Sequence, residues 1–172
     1  MRVLRSIVSR IEYLSEQSGH VSKYIVPLLV FTITYDVFLR YVFNAPTKWS
    51  YDITFMLGGT LMLMMQAYTL LHKGHVNIDI LQRKLSPRAN LLLDTILSLL
   101  LFFPLILVLL YTSYRHAVTS IEMRELSNVG FWRPVLYPFR TMIPVAFFLV
   151  ILQGIASFVR NVYSLTHGGK DL

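Results

Sequence analysis

No cysteine occurs anywhere in the chain. Disulfides, thiolate metal sites and a cysteine nucleophile are therefore excluded. Charge is also scarce: Asp, Glu, Lys and Arg make up 15% of the residues, against roughly 25% in an average soluble domain. Acids are the rarer sign, nine against sixteen bases, for a net charge of +7. No phosphate-cradling glycine loop, nucleophile elbow or zinc motif is present, so an enzyme is not expected. The start, "MRVLRSIVSRIEYLSEQSG", carries charge throughout, and neither an apolar h-region nor a small-residue cleavage site follows it, unlike a cleavable signal. No internal repeat of transporter type and no low-complexity tract appears.

Apolar runs, by contrast, are long. Hydrophobic residues are 55% of the chain, and a helix crosses the hydrocarbon with roughly 20 residues. Four runs have that length, at about 24–43, 49–71, 89–111 and 141–159. Backbone groups in lipid need internal partners, which makes helices the expected form. The expectation is an all-α membrane protein of four transmembrane helices, one domain over residues 1–172, packed as one compact bundle. Punctuation supports the limits. "NAP" at 44–46 stops the first run, and Ser86 with Pro87 forms a helix start. Pro134 and Pro138 precede the fourth run, and Pro104 is expected to kink the third. Tyr24, Tyr41, Trp49, Tyr111 and Tyr137 lie near run ends, as interfacial aromatics do.

The first 19 residues read as an amphipathic helix on the inner surface, with Val3, Leu4, Ile7, Ile11 and Leu14 on one face. "HVNIDILQRKL" repeats that pattern more weakly. With the N-terminus inside, ten of the sixteen Lys and Arg fall on inner segments, which places both termini in the cytoplasm. The basic clusters flank apolar runs, so membrane lipid headgroups rather than nucleic acid are their expected partner.

Charges inside the apolar runs raise the functional question. Thr32, Asp36 and Arg40 share one face of the first run, the acid one turn before the base. A charge at the bilayer centre costs about 2.5–3.5 kcal/mol on insertion scales. Arg40 is close enough to the outer end to snorkel, and Asp36 sits about one turn deeper. The two read either as a packed structural pair or partner-facing anchor, or as an ion-coupling carboxylate; a coupling site needs more polar groups at mid-membrane. In the second run Asp52, Gly59 and Gln66 recur every seven residues on one face, and Gly58 with Gly59 permits close backbone approach. That face is expected to meet protein, within the bundle or on another subunit. Gln153, Gly154 and Ser157 play the same part in the fourth run, while the third offers only Asp94 and Ser98. His20, His72, His75, His116 and His167 stand at or beyond run ends, which does not suit a membrane haem. His72 and His75, three residues apart, have the spacing of a metal pair but no carboxylate cage around them, and Asp79 reads as a solvated or interfacial charge rather than a lone catalytic acid. No cofactor or metal is expected.

One stretch carries a resemblance. "FNAPTKWSYDITFMLGGTLMLMMQAYTLLHKGHVNIDIL" resembles the small membrane subunit, the DctQ-like family, of tripartite ATP-independent periplasmic (TRAP) transporters. The carriers are Trp49 then Asp52, the Gly58-Gly59 pair, Ala67-Tyr68, and the run Gly74-His75-Val76 with Ile78-Asp79. "LSPRANLLLD" and "YPFRTMIPVAFFLVILQGI" are similar to that family's third and fourth spans, so the likeness covers about residues 24–160. The family often has Glu where this chain has Asp52. The resemblance implies an accessory subunit in a bacterial inner membrane. Its partners would be a large membrane subunit that carries substrate on a sodium gradient and a periplasmic substrate-binding protein that docks outside. Substrates would be organic acids. On this reading Asp36, Arg40, Asp52, Gly58, Gly59 and Gln66 face the large subunit, or the charged ones stabilise the turn joining two spans. Lys48, Trp49, Glu125 and Arg133 would contact the binding protein. Two other classes stay open: a membrane anchor of an electron-transfer complex, and a self-sufficient small transporter.

Overall fold

A computed structural model describes residues 2–72 and 86–166. The second amphipathic stretch, the Gly74–Asp79 run and His167 lie outside the described residues. The order is α1 (Arg2–Ser22), α2 (Ile25–Val42), α3 (Ser50–Leu71), α4 (Pro87–Leu97), a π-turn (Ser98–Phe102), α5 (Phe103–Glu122) and α6 (Tyr137–Thr166). No strand occurs among the described residues, only an isolated bridge between Leu126 and Val135. Four helical stretches are long and apolar enough to cross a membrane, so the chain is an all-α membrane protein.

Helix limits follow the punctuation closely at first. Tyr24 and Phe43 cap α2, and Trp49 and His72 cap α3. Ser86 caps α4 through its side chain, which accepts the Ala89 N–H at 3.3 Å, with Pro87 in the first turn. Pro104 cannot donate to the carbonyl four residues back. The chain answers with the π-turn, in which the Phe103 N–H reaches the Ser98 carbonyl. The third helical stretch then runs on to Glu122, beyond the limit expected at residue 111. Hydropathy drops at Thr112, but Ser113, Ala117 and Ser120 stay buried on one stripe, so close packing rather than greasiness extends the helix. The fourth stretch is also longer than 141–159. It takes Pro138 into its first turn and carries Pro144 in its interior.

These helices form a row rather than the expected compact bundle. α2 packs on α3, α3 on α6, and α6 on α4 and α5. No more than marginal contact joins α2 to α5 or α6. α1 packs on both α3 and α6. The reason lies in the contact residues. The apolar residues buried among the described positions include Ala67, Ala117, Ala146 and Ala156, and the buried polar set is dominated by Ser15, Ser22, Ser50, Ser113, Ser120, Ser127 and Ser164. Large aliphatics such as Leu99, Leu100, Leu101 and Val108 point outward. Small residues inside and bulky ones outside let backbones approach in a solvent as apolar as leucine. The larger apolar cluster is correspondingly modest, Ile106, Val150 and Ile151 around Ala67.

α1 obeys the same rule. Its buried face is Val8, Ser15, Gly19 and Ser22, while Ile7 and Leu14 of the apolar stripe stay exposed. The Ser15 hydroxyl donates to Gln153 Oε1 at 2.8 Å, and the Ser18 hydroxyl reaches the Met64 carbonyl at 3.2 Å. Glu12 pairs with Arg160 at 2.5 Å. Two glycines make such approach possible elsewhere. The ring of Phe139 lies 2.7 Å from where a Gly59 Cβ would stand, and the Phe102 ring sits closer still over Gly154. Gly154→Ala should therefore cost about 1–3 kcal/mol through overpacking, read as a lower melting temperature in detergent. Phe102→Ala in the same chain should recover part of the loss; no recovery would place the strain elsewhere.

Candidate functional site

Two buried carboxylates organise one end of the row. The first is Asp36, 7% exposed on α2. Its Oδ2 accepts from Arg40 Nη2 at 2.6 Å. Its Oδ1 accepts the Thr47 N–H at 2.9 Å and the Thr47 hydroxyl as well. Asn44, at φ 50°, turns the chain after α2 and brings Thr47 back; asparagine tolerates that left-handed conformation better than most residues. Phe31, Tyr35 and Trp49 then stack in a column beside the turn, with centroids 6.1 and 6.0 Å apart. Lys48 is exposed between these elements.

The second is Asp52, fully buried in the first turn of α3, where a helix N-terminus favours negative charge. Its Oδ1 accepts from the Ser127 hydroxyl at 2.6 Å and the Gly130 N–H at 3.1 Å. Oδ2 has no hydrogen-bond partner among the described residues. It lies where a side chain on residue 130 would begin, so a Cβ there would push the Asp52 carboxylate out of place. Asp52 thus clamps the 123–136 loop onto the start of α3. The loop is a short hairpin. Ser127 N–H donates to the Pro134 carbonyl at 2.7 Å and Leu136 N–H to the Glu125 carbonyl at 2.8 Å. Glu125 pairs with Arg140 at 2.7 Å, and Arg133 donates to Asn128 Oδ1 at 3.3 Å. Arg124 and Arg133 sit at φ 46° and 51°, at the corners of the hairpin.

The residues singled out from sequence thus separate. Asp36 and Arg40 meet each other and hold the α2–α3 turn. Asp52 holds a different loop. Gly59 is covered by Phe139, whereas a Cβ on Gly58 would meet nothing within 4 Å. Gln66 is half-buried and makes no side-chain hydrogen bond among the described residues. Trp49 stacks on Tyr35, Glu125 is held by Arg140, and Lys48 projects freely. Thr47, Ser127 and Gly130 went unrecognised in the sequence; the signal available was a carboxylate in need of donors. At the opposite end Glu16 lies 3.5 Å from both His20 and His72. No group of three or more His, Cys, Asp or Glu could hold a metal among the described residues, and His116 stands within α5.

Each carboxylate can be tested through its loop. Asp36→Leu leaves Thr47 and Arg40 without their acceptor, and each hydrogen bond lost weakens the turn by about 1 kcal/mol. Ser127→Ala and Gly130→Ala should free the 123–136 hairpin. Limited proteolysis of the detergent-purified chain should then cut faster at 43–49 in the first variant and at 123–136 in the other two. Unchanged cleavage would mean that neither carboxylate holds its loop.

A family model described as the DctQ component of tripartite ATP-independent periplasmic transporters matches residues 29–163. No curated protein and no solved structure matches. The matched segment includes both carboxylates, both clamped loops and most of all four apolar stretches. It exceeds half of the sequence, and the chain accordingly belongs to the DctQ family of TRAP transporter components.

Proposed function

We propose that the chain is the scaffold subunit of a TRAP transporter that takes up organic acids on a cation gradient, in a bacterial inner membrane with both termini cytoplasmic. The observation that carries this reading is the row. The spans form a layer, backed by α1 where it packs on α3 and α6, that buries its small polar residues between neighbours and leaves broad apolar faces outward. Such a layer suits bracing a larger membrane partner better than enclosing a solute. The ionisable residues support it. Asp36 and Asp52 are engaged with the chain's own loops near one end of the row, not aligned along a path across it.

In this proposal the large membrane subunit carries substrate and sodium, and this chain binds no cofactor of its own. The large subunit lies against α2 and α3, where a Cβ on Gly58 would meet nothing within 4 Å. Arg40, exposed on its outer edge, and the α2–α3 turn border that face. Lys48 beside Trp49 projects where a periplasmic substrate-binding protein would dock. α1 lies along the inner leaflet, with Ile7 and Leu14 toward lipid.

Mild-detergent pull-down of the full chain tests the reading. A large multi-span protein should co-purify, and Gly58→Leu should reduce its recovery severalfold without unfolding the chain. Reconstituted alone, the chain should give no substrate flux; flux from the lone chain would favour the self-sufficient transporter. Lys48→Glu should raise the substrate-binding-protein concentration needed for half-maximal uptake by the whole complex. Unchanged uptake would remove Lys48 from the docking surface.

A further inference from the structure

The 123–136 hairpin is amphipathic in the sense opposite to that of a loop in water. Its inward residues are Glu125, Ser127 and Leu136, paired to Arg140, hydrogen-bonded to Asp52 and buried in turn. Its outward residues are mostly apolar, with Asn128 the exception besides the two arginines. Leu126 and Val135, opposed across the isolated bridge, are both exposed. At the tip Phe131 is 92% exposed and Trp132 52%. Two cations, Arg124 and Arg133, stand at the corners and are exposed.

The Asp52 clamp sets the height of this apolar face. Gly130 is hydrogen-bonded to Asp52 in the first turn of α3, and the apolar stretch of that span starts at the next residue, Ile53. Phe131 follows Gly130 directly, about 3.8 Å further along the chain. The second tie, Glu125 to Arg140, lies just before the apolar stretch of α6. The tip is thus held at the level where water gives way to hydrocarbon, alongside exposed Tyr51 and Tyr137 at the same ends of their helices. Aromatic rings favour that level, and neighbouring Arg side chains there meet lipid phosphates.

We propose that the 123–136 hairpin is a membrane-interface anchor, with Phe131 and Trp132 immersed at the acyl boundary and Arg124 and Arg133 on the phosphates of anionic lipids. The occupant is lipid because charge and height both suit it: Arg140 neutralises Glu125, which leaves the hairpin itself with two cations against the exposed Glu122 just before it, at the depth of a headgroup layer. The clamp then acts as a depth gauge that fixes the row against tilting or sliding in the bilayer.

The chain's lack of cysteine gives a direct test. Val129→Cys, beside the tip, is labelled with a nitroxide in the full chain, co-reconstituted with whatever large subunit co-purifies. Accessibility to oxygen and to a water-soluble nickel chelate is then read by spin-label relaxation. Immersion predicts oxygen access well above chelate access in phosphatidylglycerol vesicles. It also predicts a shift toward the chelate on Phe131→Asp, and a shallower label in phosphatidylcholine that Arg124→Ala with Arg133→Ala reproduces in phosphatidylglycerol. Dominant access to the chelate would overturn the anchor in favour of a tip in water. Low access to both reagents would overturn it in favour of a tip covered by protein. Equal depth in both lipids would remove the phosphate contacts.

Discussion

A carboxylate taken out of water needs hydrogen-bond donors, and the nearest unsatisfied ones in a helical membrane protein belong to the turns. That requirement shapes one whole end of this chain. Asp36 collects a backbone N–H and a hydroxyl from Thr47, and Asp52 collects the same two kinds of donor from Gly130 and Ser127. Each acid thereby converts a connection between spans into a fixed part of the structure. For Asp36 the cost of desolvation is met locally at both oxygens, whereas Asp52 is compensated at Oδ1 alone, its Oδ2 being buried without a hydrogen-bond partner among the described residues.

The middle of the row rests on a different constraint. Lipid gives apolar side chains no reason to turn inward, and close packing of backbones is what remains. Serines, alanines and a few glycines therefore hold α1, α3, α5 and α6 together, and rings such as those of Phe139 and Phe102 settle onto glycine. A membrane protein assembled this way is held by small residues where its helices touch and presents bulky aliphatics outward.

Much of this was legible in the sequence. The ends of α2 and α3 and the start at Ser86-Pro87 follow from local rules about caps, proline and run length. So did the Asp36–Arg40 pair, because four residues along a helix is a local distance. What escaped was long-range or depended on small residues. Nothing in a linear pattern joins Asp52 to Ser127, 75 positions away. The overrun of α5 to Glu122 was hidden because Ser113, Ala117 and Ser120 read as polar fading into loop. The protein-facing side of α1 was not legible for a related reason: hydropathy marks Ile7 and Leu14, which stay exposed, whereas Val8, two serines and a glycine lie on the buried side. The row itself could not be seen, since span lengths alone do not distinguish a closed ring of helices from an open line.

The two neighbouring glycines of α3 have unlike surroundings. Consecutive residues on a helix point about 100° apart, so the pair opens two notches on different sides of one rod. The notch at Gly59 is already plugged by Phe139, and the one at Gly58 is vacant. Gly58 stands eight residues into the helix, about 12 Å from its start. A foreign helix could nestle there closer than the ordinary interaxial separation of about 8–10 Å. The rod thus carries a keyway at a single depth, which would fix the vertical register of whatever slides against it.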